Sequence, residues 1–169
     1  MKKLLTISMA VLMTLVSMST VFADTADTKG TDVTYEVAES YEWTAPADVT
    51  FTDDDKEIDG TVEVTKAIIA KGHELNIYVN GDEAGEFKLV LEGDDTKTLT
   101  YQVKKDTTVL VAGNKVFTVA SGTDLSVENN PSGKQALVFL LDDNKAGLDA
   151  GTFKGTCTFE AKIEAETKE

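Results

Sequence analysis

Apolar and polar residues alternate along most of this chain, and glycine, proline or acidic turns interrupt them roughly every 8–12 residues. That pattern limits the possible folds more than any other feature. A strand sends successive side chains to opposite faces, so period-2 alternation predicts strands with one face in a core and one in water. It runs through VTYEV (33–37), YEWTA (41–45), VTF (49–51), TVEVTKAII (61–69), LNIYVNG (75–81) and EFKLVLEG (86–93). It continues through KTLTYQVKK (97–105), TTVLVAG (107–113), KVFTVAS (115–121), TDLSVEN (123–129), KQALVFLLDD (134–143) and GTFKGTCTFEAKI (151–163). Asn80-Gly81 reads as a tight turn, 53–60 as an acidic loop and Pro131-Ser132-Gly133 as a break. Helical windows at 65–71 and 142–149 are short. The spacing predicts an all-β antiparallel sandwich of about nine to eleven strands rather than an α/β fold.

The last segment shows the pattern best. Phe153, Gly155, Cys157, Phe159, Ala161 and Ile163 share one face, and Thr152, Lys154, Thr156, Thr158, Glu160, Lys162 and Glu164 share the other. Cys157, the only cysteine, falls in the inner row. It is expected to be a buried free thiol acting as a small core hydrophobe, the alternative being an intermolecular disulfide.

The N-terminus reads as a signal peptide over residues 1–23. Lys2 and Lys3 precede an apolar run, and Val21-Phe22-Ala23 forms a cleavage site. The expected organisation is then a polar leader at 24–32, a sandwich domain at 33–164 and a polar tail at 165–169. No second apolar run of about 20 residues follows, so no membrane insertion is expected after cleavage. The whole chain carries a formal charge of −14, and all 16 basic residues are lysine. Such a surface repels phosphate backbones, so nucleic acid is not an expected partner. The expected location is secreted or extracellular, including association with the cell surface.

Catalysis requires a positioned nucleophile, base or metal. The mature region offers one histidine, His73, placed in a turn, and no G-x-S-x-G elbow. A Cys157–His73 dyad is disfavoured because a catalytic thiolate needs an electropositive, partly exposed setting. No enzyme activity and no cofactor are therefore expected. Asp53, Asp55, Glu57 and Asp59 alternate in the acidic loop and are candidate calcium ligands. Ile58 and Val64 stand where an EF-hand needs Gly and Glu, so only a looser calcium site is compatible. Tyr41 and Trp43 share a strand face and are candidate ligand contacts, a platform for sugar stacking, although such a row equally suits a core.

Two segments carry a resemblance. SYEWTAPADVTF (40–51) and AGTFKGTCTFEAKI (150–163) resemble the opening and closing segments of small secreted proteins of Gram-positive bacteria. The ending is also similar to the closing strand of WxL-type cell-surface domains, with Thr158-Phe159-Glu160 standing where Trp-x-Leu would be. The resemblance implies an immunoglobulin-like β-sandwich, secreted or displayed, used for adhesion or assembly. Two functional expectations follow. One is an adhesion or ligand-binding module for a cell-wall, host-protein or glycan ligand. The other is a structural subunit that assembles by strand exchange into fibres or a surface layer. The oligomeric expectation is a monomer or weak self-assembly.

Overall fold

The computed structural model describes residues 32–82, 84–125, 133–142 and 147–167. The expected signal peptide, nearly all of the leader, most of the strand expected at 123–129, Pro131-Ser132 and the end of the tail lie outside them. The chain divides into two units, Met1–Ala38 and Glu39–Glu169. In the first, residues 32–38 carry no regular structure, and the strand expected at 33–37 is not formed. Its VTYEV sequence has the right alternation but no strand pairs with it among the described residues.

Among the described residues the second unit contains ten strands and no helix. These are β1 (Ser40–Thr44), β2 (Glu57–Ile68), β3 (His73–Asn80), β4 (Lys88–Leu91), β5 (Asp94–Lys105), β6 (Thr108–Leu110), β7 (Asn114–Ala120), β8 (Lys134–Leu141), β9 (Phe153–Lys154) and β10 (Thr158–Ala165). The larger sheet runs β1-β2-β8-β5-β4-β9, with β6 also on β5, and the smaller runs β10-β3-β7. Every pairing is antiparallel. The expected all-β sandwich is present, with very unequal layers.

The two layers share one core. Val62 and Val64 of β2, Tyr101 and Val103 of β5, and Leu137 and Phe139 of β8 meet Leu75, Ile77 and Val79 of β3 and Val116 and Val119 of β7. Burying each such apolar side chain contributes about 1.5–3 kcal/mol. The rows follow the alternation: Leu99, Tyr101 and Val103 are buried between exposed Thr98, Thr100 and Gln102. In β2 the inward row changes parity. Glu42 faces Lys66 and Trp43 faces Val64, which leaves Thr65 as a bulge. Val64 points inward before it, and Ala67 packs against the core after it.

Three sequence expectations change here. The segment 49–51 is not a strand. Residues 45–56 instead form an irregular strap across the inner face of the larger sheet, with Val49 and Phe51 packed on the core. Gly60 makes room for it: a Cβ there would lie 2.8 Å from the Phe139 ring and 3.1 Å from Pro46. Asn80-Gly81 does not close a hairpin, because β3 and β4 belong to different sheets. The chain turns instead on Asp82, whose carboxylate accepts from the Ala84 and Glu86 N–H groups at 2.9 Å. The Glu86 amide is the main reason this carboxyl is held below its usual range.

The third change concerns the closing segment. Residues 151–163 are two strands, not one. β9 pairs with β4 in the larger sheet and β10 pairs with β3 in the smaller, and residues 155–157 carry the chain across. Gly155 is required at that corner, since a Cβ would sit 2.0 Å from the Lys88 carbonyl oxygen and 3.0 Å from Leu89 Cδ2. We expect Gly155→Ala to destabilise the sandwich by about 1–3 kcal/mol through overpacking. Urea unfolding monitored by Trp43 fluorescence checks this, and a loss within about 0.3 kcal/mol of zero contradicts the tight corner.

Candidate functional site

The unequal layers leave a cleft of about 890 Å³. Leu99 of β5 and Leu141 of β8 lie buried at its base, and Leu89 of β4 beside them is partly exposed. Val49 and Phe51 of the strap wall one side, and Leu148 and Phe153 the other. Asp53, Asp149 and Lys154 stand among the lining groups with Ala150, Gly151 and Thr152. Lys97 reaches across at this end, donating to the Gly147 carbonyl at 2.7 Å. The exposed lining is nearly evenly divided between apolar side chains and polar groups, Thr50, Thr52, Asp53, Asp149, Thr152 and Lys154 among them.

Tyr101 stands behind the floor. Its ring packs against Phe87, Phe51 and Phe139 with centroids 5.7, 6.1 and 6.5 Å away. Burial drives its phenol well above the usual range, so it stays protonated, and the neighbouring Cys157 adds to that rise. Cys157 is half-buried at the sheet-crossing corner, not in mid-strand as expected, though it packs on the core and is a free cysteine. Burial pushes its thiol up to about 11, against a smaller opposing effect from the Tyr101 hydrogen bond.

The structure scatters the other candidates. Asp53, Asp55, Glu57 and Asp59 are all exposed. Glu57 and Asp59 lie on the outer row of β2, where half the expected acidic loop has become strand, while Asp53 and Asp55 lie in the strap. Among the described residues, no three His, Cys, Asp or Glu side chains gather in a way that could hold a metal. Trp43 is partly buried against the core. Tyr41 is 37% exposed, and its hydroxyl donates to the Ala161 carbonyl of β10 at 3.3 Å, linking one sheet to the other. Neither lines the cleft. His73 begins β3 rather than lying in a turn, opposite Ala165, with Nδ1 3.3 Å from a Glu39 oxygen. Cys157 sits beyond the opposite end of β3, next to Thr158, the partner of Asn80. Seven residue steps, about 23 Å, separate the two ends, so no Cys–His dyad forms.

One feature had no sequence signal. Asn76 points to the outer face of the smaller sheet yet is 1% exposed. Its Nδ2 donates to Glu74 at 2.9 Å and Glu164 at 2.8 Å, and its Oδ1 accepts from Thr118 at 2.8 Å. Tyr78 also donates to Glu164, and Lys115 to Glu74 at 2.9 Å. Glu74 and Glu164, directly opposite across β3 and β10, are both held below the usual carboxylate range, chiefly by Lys115 and by Tyr78 respectively. Both are therefore ionised at neutral pH. The arrangement joins three strands and leaves no carboxylic acid to serve as a proton donor.

No family model matches the chain, and no curated protein matches it. Among solved structures, similarity is found to a chain of a chaperone–tip adhesin complex described as vital for synergistic activation of CFA/I fimbriae biogenesis. The TM-score is 0.48 at 15% identity, covering 74% of this chain and 42% of that one, so this chain spans less than half of its length.

The Cys157 environment predicts slow thiol chemistry. With the thiol at about 11, the thiolate fraction at pH 8 is about 0.1%, against roughly a quarter for an ordinary cysteine. Iodoacetamide should alkylate the native protein more than about 100-fold more slowly than the urea-unfolded chain, with the rate rising about tenfold per pH unit up to pH 10. Alkylation of native and unfolded chains at similar rates contradicts this placement.

Proposed function

We propose that the chain is a secreted, non-catalytic β-sandwich that works at or outside the cell surface by binding, in adhesion or ligand capture. The cleft above Leu89, Leu99 and Leu141 is the observation that carries this reading. Its mixed lining offers apolar contacts from Leu89, Leu148 and Phe153 and hydrogen-bonding groups from Thr52, Asp149 and Lys154, which suits a protein segment or a glycan. The signal-like residues 1–23, the acidic surface and the end motifs resembling those of Gram-positive surface proteins support an extracellular task. The resemblance to WxL-type domains makes the cell wall a natural first ligand to test.

Ala150 lines the cleft and is exposed, so Ala150→Trp fills the opening without disturbing the core. Retention of the secreted chain on immobilised peptidoglycan, mucin and fibronectin is the assay. We expect binding to at least one of them, weakened at least about tenfold by Ala150→Trp at unchanged melting temperature, since each 1.4 kcal/mol of lost contact is a factor of ten. Equal binding by both proteins, or binding to none of the three, contradicts the reading.

A further inference from the structure

Val33, Tyr35 and Val37 are 91%, 74% and 52% exposed. Single exposed apolar residues are ordinary, but three at every second position form a row. In a strand all three would stand on one face about 7 Å apart, with Thr34 and Glu36 on the other. Valine, threonine and tyrosine are strand formers, yet no strand pairs with this segment among the described residues. The segment is thus an unused strand with one apolar face.

The cleft offers a matching place. The strap beside it has strand-like side-chain alternation, with Val49 and Phe51 packed on the core. Among the described residues, the backbone of 45–51 makes no hydrogen bond outside the strand ladders, and the β1 ladder ends at Thr44. Apolar side chains of the cleft thus lie beside backbone donors and acceptors that have no sheet partner. An added strand satisfies both at once, through main-chain hydrogen bonds and pockets for alternate side chains.

We infer that residues 33–37 of one copy dock as a strand in the cleft of a second copy, with Val33, Tyr35 and Val37 against the partly exposed Leu89, Leu148 and Phe153, above the buried Leu99 and Leu141. This rests on the reading of the cleft as the binding place and names its occupant. Chain length favours a second copy. Val37 lies three residues before Ser40, so it stays within about 10 Å of the start of β1. Ser40 pairs with Ile68 at one end of β2, whereas Leu141 accompanies Lys56 at the other, through an N–H···O bond of 2.8 Å. Eleven residue steps of strand span about 36 Å.

Donor segment and acceptor cleft are different surfaces, so the contact is heterologous and generates open chains of subunits rather than closed dimers. The chain's formal charge of −14 opposes such contact, so added salt strengthens assembly by screening the repulsion. Glu36 falls on the row facing away from the floor, where water solvates it.

Light scattering of the secreted full chain, across concentration and at low and high salt, tests the inference. The mass should rise in whole-subunit steps with concentration, and more steeply at high salt. Tyr35→Asp should remain monomeric at unchanged melting temperature, while Thr34→Asp on the opposite row assembles like the parent. Ala150→Trp should also remain monomeric, because its cleft is filled. Mixed together, the Tyr35→Asp and Ala150→Trp proteins should form one-to-one dimers that grow no further, one supplying the cleft and the other the strand. A parent chain that stays monomeric, a Tyr35→Asp protein that assembles normally, or a mixture that remains monomeric overturns the inference. Should any of these occur while Ala150→Trp still abolishes retention on the immobilised ligands, the binding reading survives and strand exchange is lost.

Discussion

The sandwich depends on how Tyr101 is enclosed. Its ring sits in the central part of β5 and touches Phe51 from the strap, Phe87 from the approach to β4 and Phe139 from β8. Its hydroxyl reaches Cys157, where the chain leaves the larger sheet for the smaller. One residue thus ties together two neighbouring strands, the irregular cover and the crossing between layers. The half-buried Cys157 thiol is the polar neighbour that influences this buried phenol. That answers why a lone cysteine stands there: a small hydrophobe with a sulfur able to accept a hydrogen bond fits the corner behind Gly155.

The cleft follows from unequal layers. Three strands cannot cover the inner faces of the six in the main path of the larger sheet. The strap takes up part of the deficit with Val49 and Phe51, and the 148–153 region takes up more with Leu148 and Phe153. What is left over is the cleft. Elsewhere the polar face of the smaller sheet is tightly joined: Asn76 gathers Glu74, Glu164 and Thr118 from all three of its strands. The small layer is thus joined across all three strands by side-chain bonds, while the far end of the large layer keeps the cleft.

Alternation made the strands legible because it records which side chains face the core. It does not record which sheet a strand joins. Residues 151–163 keep one unbroken inner row from Phe153 through Cys157 to Ile163, yet the backbone changes sheets beneath it. The same limitation explains VTF (49–51), whose side chains pack inward while its backbone pairs with no strand, and VTYEV (33–37), whose alternation is not realised as a strand. The acidic run misled in the other direction, since Glu57 and Asp59 are simply the wet row of β2. The cleft was not legible because its floor consists of leucines that any core would contain, and its walls come from segments far apart in sequence. Asn76 looked like one more outward polar residue, and only the meeting of three strands buries it.

The central claim is that the strap lies over the large sheet as an unpaired cover, leaving an open place for another strand. Native-state hydrogen exchange on a dilute sample reads this directly, because protection reports which amides are held in ladders. The account predicts that the Val49, Thr50 and Phe51 amides exchange near the rate of an unstructured peptide, while Leu75, Ile77 and Val79 of β3 exchange only on global unfolding. Protection of residues 49–51 equal to that of β3 would mean the second layer is already complete, and would contradict the account.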